Sequence, residues 1–236
     1  MYNYAALATY AAATAACYAL YDYIHIPHPR APYVIKNLVK GFGLAMLLAL
    51  SVEVIADALA GTWHNAAIHR TAALYVCHDT AGLLRVDLPI NTRLHHLTTS
   101  LLVLFSFGLD FATSPVAQAM FVYTVFSSCA FLVNIYLALR LFAPYPRMRR
   151  LARAVFALCC AANWLWHAHW FRLGVPQILY ALALLPIVRD DLVLLEWLST
   201  PREPPRAPRR APPRRSRGPA RARSLPARRS TRRRRL

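Results

Sequence analysis

Two adjacent imidazoles, His95 and His96, sit where a short polar loop gives way to an apolar run, Arg93-Leu94-His95-His96-Leu97-Thr98-Thr99-Ser100-Leu101-Leu102. Burying such groups beside a membrane span is costly, and ionisable residues placed there are functional candidates by default. An aspartate, Asp79, lies in the preceding apolar segment, and an asparagine, Asn134, lies in the following one. A carboxylate beside an imidazole fixes its tautomer and stabilises its cationic form. That pairing is the minimum for general-base or nucleophilic histidine chemistry. The competing assignment is a buried Asp–His bond that only fastens two helices.

These groups need elements to carry them, and composition points to membrane helices. Of the 236 residues, 57% are hydrophobic and 16% are charged. Charge is concentrated at one end: residues 199–236 hold fifteen arginines and one glutamate, net +14 of a total +18. The chain divides on this basis into a membrane domain, 1–198, and a basic tail, 199–236. A span needs ~20 mostly apolar residues. Seven segments come near that length: 5–24, 38–60, 66–86, 97–113, 117–142, 154–171 and 175–195. The first is the weakest, and six spans plus a surface segment is the alternative. Backbone groups in lipid must bond within their own segment, so runs of this length are helices. The fold class expected is all-α, a multi-pass transmembrane bundle of about seven spans with a disordered basic tail.

Basic residues set the orientation. Arg30 and Lys36, Arg85 and Arg93, the cluster Arg147, Arg149, Arg150 and Arg153, and the tail all fall on one side if there are seven spans. The C-terminus is then cytosolic. At ~1.5 Å per residue, Asp79 lies ~10 Å and Asn134 ~12 Å from the cytosolic ends of their spans. His95 and His96 open the fourth span from that same side. Asp79, His95, His96 and Asn134 are therefore expected to converge in the cytosolic half of one bundle.

Two further polar sets lie towards the other side. Glu53, Asp57, His64, His69 and Arg70 read as an ion-paired cluster between neighbouring helices. Asn163, Trp164, Trp166, His167, His169 and Trp170 read as an interfacial aromatic belt. The five cysteines (Cys17, Cys77, Cys129, Cys159 and Cys160) fall in apolar runs with no framework spacing. They suggest neither disulfides nor a zinc knuckle, but small apolar side chains. Nine histidines raise the question of a di-iron centre. The HH pair is cytosolic by this orientation, whereas His64/His69 and His167/His169 lie across the bilayer, so no shared metal is expected. Phosphate-cradling glycine loops, GxSxG and HExxH are absent.

The stretches Tyr75-Val-Cys-His-Asp79, His95-His96-Leu-Thr-Thr and Phe126-Ser-Ser-Cys-Ala-Phe-Leu-Val-Asn134 together resemble the TLC-domain family over roughly residues 35–195. That family includes ceramide synthases, the translocating-chain-associated membrane protein and small proteins of membrane-lipid homeostasis. The resemblance implies His95 and His96 as a catalytic pair with Asp79 as their acidic partner. It implies Tyr75, Ser127, Ser128 and Asn134 as substrate-binding residues. Where ceramide synthases carry an Asp-rich stretch on the span after the histidines, this chain has Ser127, Ser128 and Asn134, with Asp110 upstream. In this the fifth span is closer to the small non-synthase members. The function expected is thus lipid homeostasis, with acyl lipid bound in a His/Asp-lined pocket of an endoplasmic-reticulum membrane protein. The alternative is sphingoid-base N-acylation with acyl-CoA as co-substrate. Neither metal nor resident cofactor is expected.

The tail is Arg, Pro, Ala and Ser, a composition that predicts disorder. Its expected partner is anionic lipid headgroups, at ~1 kcal/mol per basic residue near the surface. It has no aromatic residues for base stacking, so no specific nucleic-acid partner is expected.

Overall fold

The computed structural model describes residues 2–200 with the exception of Leu173. The expectation of a disordered tail therefore lies almost wholly outside the described residues. Those residues form nine α-helices and no strand, in agreement with the all-α reading: α1 (Tyr4–Tyr23), α2 (Ala31–Leu50), α3 (Val52–Leu59), α4 (Asn65–Arg85), α5 (Ile90–Ser106), α6 (Pro115–Ser128), α7 (Phe131–Leu139), α8 (Pro146–Trp170) and α9 (Val175–Ser199). Among the described residues two stretches, against the seven expected, are long and apolar enough to cross a membrane: Ala31–Leu50, and Pro115–Leu139, which runs through α6 and α7.

Local chemistry sets the boundaries. Proline occupies the first turn of α2, α6, α8 and α9, where its missing N–H leaves no bond unmade. Asn3 caps α1 by accepting from the Ala6 amide at 3.0 Å, and Ser114 caps α6 by accepting from that of Ala117 at 3.3 Å. Gly61, with φ of +82°, turns the chain after α3 in a conformation that side chains disfavour. Only Ser51 separates α2 from α3, and only Cys129-Ala130 separates α6 from α7. Pro186 lies inside α9.

Helix α1 packs on α4, α2 packs on α7, and α5 sits between α4 and α9. One apolar core joins Ala6, Leu44, Ala73, Val76, Val103 and Phe107 from the first helices. Another joins Val133, Tyr136, Phe156, Cys160 and Leu198 at the other end of the chain. On α2 and α5 part of this apolar-inward distribution is reversed. On α5, Leu97, Leu101 and Phe105 point outward while His96, Thr99, Ser100 and Ser106 are buried. On α2, Phe42, Met46 and Leu50 are exposed while Lys36, Asn37 and Lys40 are buried. Lysine is almost never fully buried unless paired. Inside, hydroxyls link helices: Tyr10 bonds Thr80 at 2.8 Å, and Thr80 bonds Ser100 at 3.0 Å.

The two outlying polar sets differ from the sequence reading. His64 does pair with Asp57 at 3.4 Å on the surface, but His69 is turned inward by α4. Its ring nitrogens meet the Asn3 side chain at 2.9 Å and the Ser106 carbonyl at 3.0 Å, so no single ion-paired cluster forms. The α8 set is partly interior: Asn163 is buried, and His167 reaches the Tyr180 hydroxyl at 3.2 Å. In the α5–α6 loop, Asp110 accepts from the Asn65 side chain, from Thr113 and from the Ala112 amide. The Asn65 bond leads these in holding its carboxyl below the ordinary carboxylate value.

Candidate functional site

Asp79 is the centre of the polar interior. It is fully buried on α4 and accepts a salt bridge from Lys40 of α2. The same oxygen lies 2.8 Å from Nδ1 of His96 on α5. Lys36, one turn before Lys40, brings its Nζ to 3.4 Å from Nε2 of His96. Gly82 makes room for that lysine: a Cβ there would stand 3.1 Å from Lys36 Cε. Three helices thus contribute a buried chain Lys40–Asp79–His96–Lys36.

His95 has its own carboxylate. Its Nδ1 is 3.1 Å from Oδ2 of Asp190 on α9, and Thr92 donates to the other oxygen of Asp190 at 3.1 Å. The neighbouring Asp191 turns ~100° away around the helix and accepts from the Tyr123 hydroxyl of α6 at 2.8 Å. The two imidazole rings are 5.3 Å apart at 50°. Each is therefore backed by a different aspartate, from a different helix.

A cavity of about 280 Å³ opens beside them. Of the residues expected from sequence, His95, His96, Tyr75, Ser127 and Asn134 line it. Asp79 stands behind His96, out of the lining, where it can act only through its neighbours. Ser128 does not reach the cavity: its hydroxyl is spent on the Thr124 carbonyl at 2.9 Å. Asn134 donates to the Ala130 carbonyl at 3.0 Å and presents the rest of its amide. A second, apolar cavity of about 40 Å³ lies on the far side of Tyr75, which lines both.

The sequence reading missed four charged groups of this wall: Lys36, Lys40, Asp190 and Asp191. It took the lysines for topology-setting charges and passed over the aspartates. The available signal was the burial cost of an Asp-Asp dipeptide inside an apolar run. Arg140 also lines the cavity, stacked 4.4 Å over the Trp197 ring.

The chemistry follows from the ring nitrogens. Each Nδ1 lies within 3.1 Å of a carboxylate but makes no hydrogen bond among the described residues, and Nε2 is the ring nitrogen on the side away from it. For His96 that nitrogen faces Lys36. For His95 it has no protein partner among the described residues. His95 is thus the freer base, and His96 the more tightly held. No family model matches the chain, and neither a curated protein nor a solved structure matches it.

Proposed function

We propose that this chain is a membrane-embedded protein of TLC type, with seven spans and a cytosolic C-terminus, that acts on acyl lipids in an endomembrane such as the endoplasmic reticulum. The reversal on α2 and α5 supports the membrane reading. Leu97, Leu101 and Phe105 face outward along α5, and Phe42, Met46 and Leu50 do so along α2, as lipid contact requires. Seven rods result if α2–α3 and α6–α7 each count as one.

Within that reading the geometry favours acyl transfer, on one observation: His95, whose Nδ1 lies 3.1 Å from Asp190, lines a cavity of about 280 Å³. That volume is near the lower end of small-molecule sites, ~300–1,000 Å³. With acyl-CoA and a sphingoid or similar amine, Nε2 of His95 removes a proton as the amine attacks the thioester carbonyl. The C–N bond forms, the C–S bond breaks, and the imidazolium returns the proton to the departing thiolate. Asp190 steadies the imidazolium. The acyl chain runs past Tyr75 towards the smaller apolar cavity.

A second reading has its own support. Lys36 sits on the lone pair of His96, and Lys40 neutralises Asp79. That locked chain suits a non-catalytic lipid-binding regulator of membrane composition. The test is purified full-length protein in lipid nanodiscs, given acyl-CoAs of several chain lengths and long-chain base. Amide product that disappears in His95→Ala supports acyl transfer. No product from the intact protein at any chain length, with co-purifying lipid found by mass spectrometry, supports the regulator. Neither product nor bound lipid overturns both.

A further inference from the structure

Away from this cavity, three side chains that sequence spacing leaves unrelated come together between α1 and α4. Cys17 Sγ lies 3.8 Å from Cys77 Sγ and 3.3 Å from Nδ1 of His78. All three ligand atoms fall within 4.8 Å of one another. A tetrahedral centre with metal–sulfur bonds of ~2.3 Å and metal–nitrogen bonds of ~2.0 Å has edges of ~3.8 Å (S···S) and ~3.5 Å (S···N). The observed separations match the first edge and nearly match the second.

We infer that Cys17, Cys77 and His78 form a binding site for a thiophilic d10 cation, Zn(II) or Cu(I), that clamps α1 to α4. Two soft sulfurs and one imidazole select these cations over the hard ones. Charge favours Zn(II) in apolar surroundings: two thiolates and a neutral imidazole bring the site to zero net charge, so no uncompensated ion is buried.

Two further features of the same face fit a polar occupant. Thr14 and Tyr21 lie three residues before and four after Cys17, so all three share one face of α1. Their hydroxyls are buried with no hydrogen-bond partner among the described residues, an arrangement that costs free energy if nothing satisfies them. Tyr21 belongs to the apolar cluster that holds Cys17 and Cys77, and the fourth position is left to a water. Gly43 of α2 completes the setting: a Cβ there would stand 2.3 Å from Nε2 of His78, so the ring fits only against a bare backbone. Cys17 and Cys77 are buried and His78 is half-buried, which leaves one side for access.

The experiment is metal analysis of the full-length protein purified in detergent under reducing conditions. Zn(II) and Cu(I) are added separately and excess is removed by a weak chelator. Co(II) serves as the optical surrogate for Zn(II). One tightly held equivalent per chain and a thiolate-to-cobalt charge-transfer band are expected. Both should vanish in Cys17→Ser and Cys77→Ser, and affinity should fall at least about tenfold in His78→Ala. Thermal unfolding of these variants in strong chelator should match that of the metal-free parent, which separates lost ligation from lost folding. Substoichiometric metal, metal retention unchanged by the cysteine substitutions, or a Cys17–Cys77 disulfide in the isolated protein would overturn the assignment.

Discussion

Replacing Asp79 with Asn tests the polar interior most directly. The change keeps shape and removes the charge that Lys40 and His96 share. Lys40 is 9% exposed and Asp79 is 0% exposed, so only water in the adjoining cavity, which Lys40 lines, can replace the lost partner. Breaking a buried pair from one side costs ~3–5 kcal/mol. For a chain of this size that corresponds to a fall of ~6–20 °C in midpoint at ~2–4 °C per kcal/mol. The reciprocal change, Lys40→Met, should also destabilise, because it leaves the buried Asp79 carboxylate with only the His96 ring, 2.8 Å away, beside it. The double variant Lys40→Met/Asp79→Leu should recover most of the loss. Its residual cost is the unpaired His96 N–H, ~1–3 kcal/mol. Thermal unfolding in one detergent, followed by size-exclusion fluorescence, of the parent, Lys40→Met, Asp79→Leu and the double variant gives all four corners of the cycle. Additive losses in the double variant, or a loss below ~1 kcal/mol for Asp79→Asn, would refute a desolvated ion pair at this position.

Other expectations concern the cavity and the loops. Asp190→Asn should lower amide formation by ~10²–10⁴-fold with little change in apparent substrate affinity, because His95 loses the carboxylate beside its Nδ1; steady-state kinetics in nanodiscs would show it. Tyr75→Ala joins the two cavities and should shift preference towards longer acyl chains, read by product mass spectrometry across a chain-length panel. Gly43→Ala forces the His78 ring to move and should cost ~1–3 kcal/mol, together with a loss of bound metal. Asp110 has its carboxyl value lowered on folding, so its stabilisation is complete above the unfolded value of ~3.9 and fades as pH falls below it. Asp110→Asn should therefore lower the unfolding midpoint at neutral pH, where that stabilisation is complete, and flatten its fall through the acid range.

The legible part of this chain was the part encoded in linear pattern. Apolar runs bounded by proline and polar turns gave the helices, and the interruptions at Ser51 and Cys129-Ala130 were invisible because no proline or glycine marks them. His95, His96 and Asp79 stood out as polar groups at similar depth, and two of the three line the cavity. The pairing between them was only half legible. Depth along a helix can be counted, but azimuth depends on which neighbour each face meets. His95 turns to α9 and His96 to α4, although they are adjacent in sequence. For the same reason Cys17 and Cys77, 60 residues apart, read as unrelated small apolar residues until α1 lay against α4.

Pro186 gives the last helix a mechanical weak point. Its ring removes the amide that would bond the Leu182 carbonyl, so the rod resists bending less there than along its other turns. Four and five residues farther on come the two carboxylates that serve His95 and Tyr123. The half-rod beyond the proline is a lever whose tilt sets how far Asp190 stands from its imidazole. Tension applied near Thr200 would thus be felt as a change in that spacing inside the bundle, with no ligand required to carry the message.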